Sequence, residues 1–225
     1  MSNIIKRKEA DAGTHSSGVS LPLGAQSGGE ETPPGDLSPQ AAAEIVPDGI
    51  CVGIILGFPE RIARELQLWR ASFGDPMASI VPAHITLVTT TPARDWETTL
   101  SHARKVAKTT QPFRLSIHGT GSFRPLSPVV YIRVVDGFEE CVQLHSKLQS
   151  GPLARDLVFP YHPHVTVAHD VAEASLDDAE NALENYHAEF PVTSMGVYEH
   201  DSNGIWQLRE EMNFGTDNET STEDS

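Results

Sequence analysis

Positive charge is in short supply in this chain: 16 Lys and Arg stand against 31 Asp and Glu, for a formal net charge of -15. Stable nucleic-acid binding is driven by neutralising phosphates and leaves a basic surface. No stable nucleic-acid complex is therefore expected, and contacts to a phosphate ester must be few and local. Cysteine is nearly absent too. Cys51 and Cys141 are the only two and have no CxxC spacing, which excludes a disulfide scaffold or a zinc ribbon. Two buried free thiols in a reducing cytoplasm are the expectation. No apolar run is long enough to span a bilayer, and no signal-peptide core follows Met1, so no membrane association is expected. Aromatic residues are missing from positions 1–47, which are rich in Gly, Ser and Pro. Such a segment buries too little apolar surface to offset its ordering entropy. It reads as a disordered tail, and the acidic 215–225 as another. Between them, 48–214 is sized for one domain, expected to be a monomer.

What is present within 48–214 is an alternation of short apolar runs and amphipathic stretches. GICVGIILGF (49–58) reads as a buried strand, and 59–74 as a helix with Pro59 at its start and Ile62, Leu66 and Trp69 at helical spacing. Strand 84–90, helix 92–109 and strand 113–119 follow. The order then recurs as strand 128–137, helix 138–151, strand 164–170 and helix 175–187, the last with Ser175 as its expected cap. Residues 190–214 read as two strands around an Asp-Ser-Asn-Gly turn. Two short matches fall at one offset of 80: Gly57-Phe58-Pro59-Glu60 with Gly137-Phe138-Glu139-Glu140, and His84-Ile85-Thr86-Leu87 with His164-Val165-Thr166-Val167. A shared offset within the same element order points to a duplicated unit, with halves of about 48–120 and 128–200.

Three His-x-Thr triplets occur, at 84, 118 and 164. The one at His118 runs into the glycine-rich GTGSF outside the repeat, and His118 reads as an ordinary strand-end histidine. In the other two, the strand period puts His and Thr on one face, with Cα atoms ~6.5–7 Å apart. Ile85 and Leu87, or Val165 and Val167, then point to the core. Two imidazoles and two hydroxyls facing one cavity suit phosphodiester chemistry. One neutral histidine takes a proton from water while the other, protonated, supplies the leaving oxygen. Thr86 and Thr166 are placed to hydrogen-bond the phosphate oxygens. No metal or other cofactor is needed for such a pair.

Two other readings stand beside this one. A metal site would draw on the three histidines of YHPHVTVAH (161–169). His162 and His164 share a strand face, but His169 falls on the other, and no Asp, Glu or Cys completes a set. A non-catalytic module would hold a nucleotide or other phosphoester without cleaving it. His162, Phe123 and Arg124 are further candidates to line a cleft. For them, solvation or core packing is an equally good reading.

With its HITL and HVTV motifs, the prolines ahead of each (Pro82, Pro163), the intervening GSFRPLSPVVYIRV and the closing VYEHDSNGIWQL, the chain resembles the two-histidine phosphoesterase superfamily over about 50–210. That superfamily includes the enzymes called 2'-5' RNA ligases and RNA cyclic phosphodiesterases. The resemblance implies a bilobal α+β fold with an antiparallel sheet in each lobe, flanking helices and a central cleft. It also implies opening of a 2',3'-cyclic phosphate, on a small nucleotide or an RNA end, to the 2'-phosphate without metal, with weaker 2'-5' ligation in some members. By that analogy His84 protonates the 3' oxygen and His164 activates water.

Overall fold

The computed structural model describes residues 50–200 and 206–215. The two expected tails, apart from Gly215, and the Asp-Ser-Asn-Gly turn lie outside them. The elements follow in order: β1 (Cys51–Leu56), α1 (Glu60–Ser72), β2 (Ile85–Pro92), α2 (Trp96–Lys108), β3 (Phe113–Ser122), β4 (Val129–Val134), α3 (Phe138–Leu148), β5 (His164–His169), α4 (Glu173–Ala182), β6 (His187–Val192), β7 (Ser194–His200) and β8 (Trp206–Asn213). A short 3-10 turn, Pro76–Ser79, lies between α1 and β2.

The strands form two four-stranded sheets, in the orders β2-β1-β7-β8 and β5-β4-β3-β6. Every pairing is antiparallel. The architecture is the two-lobed α+β arrangement expected, but the lobes are not the two halves of the repeat. β3 leaves the first half to lie between β4 and β6, and β7 leaves the second to lie beside β1. Matched position by position, β1 answers β4, β2 answers β5 and β7 answers β3. The helices repeat the exchange, with α1 packing against β5 and α3 against β2.

One face of each sheet is buried in a continuous core. Val52, Ile54 and Leu56 of β1, Ile85 and Leu87 of β2, Val130 and Ile132 of β4, and Val165 and Val167 of β5 all belong to it. The period-2 alternation puts the other set of side chains on the opposite, helix-free face. That face carries the motif histidines.

Four local expectations change. Helix α2 begins at Trp96, not at 92, because Pro92 still belongs to β2 and Asp95 caps the helix, accepting from the Thr98 N–H at 2.8 Å. Helix α4 starts at Glu173 without a side-chain cap, so Ser175 sits in its first turn. The chain reverses at Asp170 in a left-handed conformation (φ 54°) and enters the helix through extended Ala172, too early for Ser175 to cap it. β3 runs on through the glycine-rich segment to Ser122, with a bulge between Ile117 and Thr120 in its pairing to β4. His118 is therefore a mid-strand residue. A further strand, β6, extends the second sheet beside β3.

Candidate active site

His84 lies immediately before β2 and His164 opens β5, and these are the edge strands of the two sheets. The two edges pack against one another, which brings both His-x-Thr motifs to one seam. Each imidazole is held in the same way. Nδ1 of His84 lies 2.8 Å from the Pro82 carbonyl oxygen, and Nδ1 of His164 lies 2.6 Å from that of His162. A carbonyl only accepts, so Nδ1 carries the proton in both rings and Nε2 is the nitrogen free to act. Nε2 of His84 is 3.2 Å from the Thr86 hydroxyl. Among the described residues Nε2 of His164 and the hydroxyl of Thr166 have no hydrogen-bond partner, so both are open to a ligand.

Burial lowers the pKa of both rings. His164 falls to about 4, chiefly through desolvation, opposed by the bond to the His162 carbonyl and reinforced by the charges of His162 and His84. His84 is also lowered, first by desolvation, with the Pro82 carbonyl opposing and Arg70 adding to the effect. The charge of His84 is thus among the causes of the His164 shift.

The segments bearing the histidines are braced from elsewhere in the chain. The buried Arg70 guanidinium donates to Asp75 at 2.8 Å and to the Val81 carbonyl at 2.6 Å. Gln67 donates to the Val81 carbonyl at 3.2 Å and accepts from the Ala83 N–H at 3.0 Å. These bonds fix the loop that holds Pro82. The outer carbonyls of β2 are met from the second half of the chain. The Tyr161 hydroxyl donates to Thr86 O at 2.9 Å, and His145 Nδ1 to Leu87 O at 2.7 Å, with the two rings stacked at 3.9 Å.

Aromatic rings wall both sides. Phe123 and Tyr131 lie 4.9 and 5.3 Å from the His164 ring, and Trp206 lies 5.9 Å from His84. Tyr131 pairs with Thr166 across β4 and β5. A glycine sits under each wall: a Cβ on Gly121 would come within 2.7 Å of the Tyr131 ring, and one on Gly53 within 2.8 Å of Trp206. Of the other sequence candidates, His162 is exposed and joins the cluster, its ring 5.8 Å from Phe123 and 6.0 Å from His164. Arg124 does not join it. Its guanidinium is drawn to α4, where Glu173, Asp177 and Glu180 take it at 2.5, 2.7 and 2.6 Å, leaving it committed to carboxylates. His169 lies at the far end of β5, with Nε2 3.5 Å from Asp170. Tyr131 was within reach of the sequence: in VVYIRV it alternates with Val130 and Ile132, which face the core. Arg70, Tyr161 and Trp206 carried no such local signal.

The family model of the 2'-5' RNA ligase superfamily matches residues 58–204. A protein of Bacillus mycoides (strain KBAB4) named "Putative phosphoesterase" is 26% identical over 171 residues, covering 74% of this chain and 98% of its own. Among solved structures, E. coli LigT complexed with NADP+ aligns with a TM-score of 0.55 at 18% identity, over 75% of this chain and 99% of LigT. The TT0787 protein of Thermus thermophilus gives 0.53 at 20%, over 74% and 99%. At such identities the structures speak for the fold, and the family match speaks for descent: this chain belongs to the 2'-5' RNA ligase superfamily of two-histidine phosphoesterases.

Proposed function

We propose that this chain is a phosphodiesterase that opens 2',3'-cyclic phosphates to 2'-phosphates by paired-histidine acid–base catalysis. One observation carries the reading: two His-x-Thr motifs on adjoining edge strands, each with Nδ1–H anchored to the carbonyl two residues back. The phosphoesterase name of the Bacillus relative and the NADP+ and 3'-AMP held by LigT support a phosphate-ester substrate of nucleotide type.

The roles are those that the family resemblance implies. His164, its pKa lowered to about 4, is the neutral partner and the base; its open Nε2 takes a proton from water as the oxygen attacks phosphorus. His84, whose Nε2 lies 3.2 Å from the Thr86 hydroxyl, is the acid. As the P–O3' bond breaks, Nε2–H of His84 protonates O3', leaving a 2'-phosphate and a free 3' hydroxyl. Thr86 and Thr166 donate to the non-bridging oxygens, where charge accumulates. The next catalytic cycle requires only that the proton pass from His164 back to His84 through solvent.

The test is incubation with nucleoside 2',3'-cyclic phosphates in EDTA, with the 2'- and 3'-phosphates resolved. The expected result is 2'-phosphate only, with kcat/KM reduced ~10²–10⁴-fold by His84→Ala or His164→Ala. Turnover indifferent to both substitutions would sink the reading. Thermal stabilisation by the nucleotide without product would instead favour a binding module, and loss of activity in EDTA a metal hydrolase.

A further inference from the structure

The helix-free face of the second sheet carries a row of basic side chains that leads away from His164. Arg133 on β4 is the register partner of His164 on β5, and directly opposed residues share a face. On the next strand, Ile117 pairs with Val134 and Thr120 with Ile132, so Arg133 stands opposite the bulge at His118 and Gly119. His118 is in turn the register partner of His187 on β6, their rings 5.9 Å apart. The neighbours Ile117, Ile132, Val134, Val165 and Ala188 are all buried on the other face. His164, Arg133, His118 and His187 therefore form one cross-strand row. At ~4.8 Å per strand it extends about 14 Å.

Charge makes the row unusual in this chain. Arg133, His118 and His187 are exposed, and among the described residues none of the three has a hydrogen bond or ion pair to a carboxylate. The acidic groups on the same face are already engaged: Glu189 is held by Arg114, and Asp136 accepts from the Ser116 hydroxyl at 2.7 Å. A guanidinium left without a counter-ion in a chain of net charge -15 is free for an anion that arrives with the ligand. Its planar fork suits phosphate oxygens, and imidazoles donate an N–H in either protonation state.

Building on the reading of the histidine pair as the site of phosphodiester opening, we propose that Arg133, with His118 and His187, forms a second phosphate subsite. It makes the enzyme prefer cyclic-phosphate substrates that carry another phosphate. The second phosphate comes either from a 5'-phosphate on the same nucleoside or from the next phosphodiester of an oligonucleotide.

Three substrates separate these sources: cytidine 2',3'-cyclic phosphate, its 5'-phosphorylated form, and a dinucleotide ending in the cyclic phosphate. For wild type, kcat/KM on one of the latter two is expected to exceed that on the first by about tenfold or more. The preferred substrate names the source. Arg133→Gln is expected to collapse that ratio through KM, and to flatten the dependence of log KM on log salt by about 0.7–1. His118→Gln and His187→Gln are expected to reduce the ratio about threefold each. Equal losses on all three substrates would overturn the proposal, placing Arg133 on the reacting phosphate, as would a wild type indifferent to the second phosphate. Calorimetry keeps the subsite separate from the reaction. Adenosine 2',5'-bisphosphate should bind about tenfold tighter than adenosine 2'-phosphate, and Arg133→Gln should erase the difference even if no substrate were turned over. Equal affinities for wild type would also overturn it.

Discussion

The Nδ1–H to carbonyl bonds at His84 and His164 do more than orient two rings. They fix the tautomer, so the acting nitrogen of each imidazole is Nε2, whereas burial decides how often that nitrogen is protonated. Because desolvation lowers both pKa values below the ordinary imidazole value of ~6.5, the free enzyme at pH 7 holds mainly two neutral rings. The proposed reaction needs one proton on the pair. Raising pH above the upper of the two pKa values removes that proton, and lowering it below the other puts a proton on both rings. kcat/KM on a cyclic nucleotide should therefore follow a bell whose maximum lies below ~6.5, falling tenfold per unit on the alkaline side. A rate rising steadily from pH 6 to 8 would contradict it. His84 also contributes to the depression of His164. In His84→Ala the His164 pKa should rise, which can be read from the pH titration of its ring Cε1–H resonance by NMR.

Among the elements, the edge strand β2 shows how the site is tied together. An edge strand leaves a row of carbonyls unpaired, and here those of Thr86 and Leu87 are taken by Tyr161 and His145 from the second half of the chain. The loop before β2 is held by Arg70 and Gln67. Removing either support should have distinct consequences. Tyr161→Phe deletes one donor and should cost ~1–2 kcal/mol in urea unfolding. Arg70→Ala leaves Asp75 buried without its cation and should cost ~3–5 kcal/mol. Equal small effects would mean that neither bond is maintained in solution. These same ties explain what the sequence left unread. The strands, and the facing of His84, Thr86, His164 and Thr166, were legible because period-2 alternation is local. So was the duplication, because His-x-Thr recurs at one offset. Tyr161, Arg70 and Trp206 meet the site through contacts between elements, and no spacing along the chain encodes those. Arg124 illustrates the converse. A guanidinium in the loop after the third strand was a candidate for the cleft, but α4 places three carboxylates around it.

For the molecule as a whole, the exchange of β3 and β7 matters most. A repeat of this kind can give two lobes that each fold from one half of the chain. Here β3, from the first half, is a central strand of the second sheet, and β7, from the second half, is a central strand of the first. Neither half closes a sheet by itself, since 50–122 would lack the strand that covers one side of β1. The second half, from 129 on, would lack the strand joining β4 to β6. The core follows the same rule: residues from both halves, such as Leu66, Leu115, Val165 and Met195, belong to one buried cluster. Cooperativity should reflect that continuity. Thermal and urea unfolding of residues 50–215 should give one transition, with tryptophan fluorescence and far-UV ellipticity coinciding. The separate fragments 50–122 and 123–215 should each lack the chemical-shift dispersion of a folded protein. Mixing them should restore both structure and activity, because each holds one of the two histidines. A fragment that folded alone, or two resolved transitions in the intact chain, would show that the lobes are independent despite the exchanged strands.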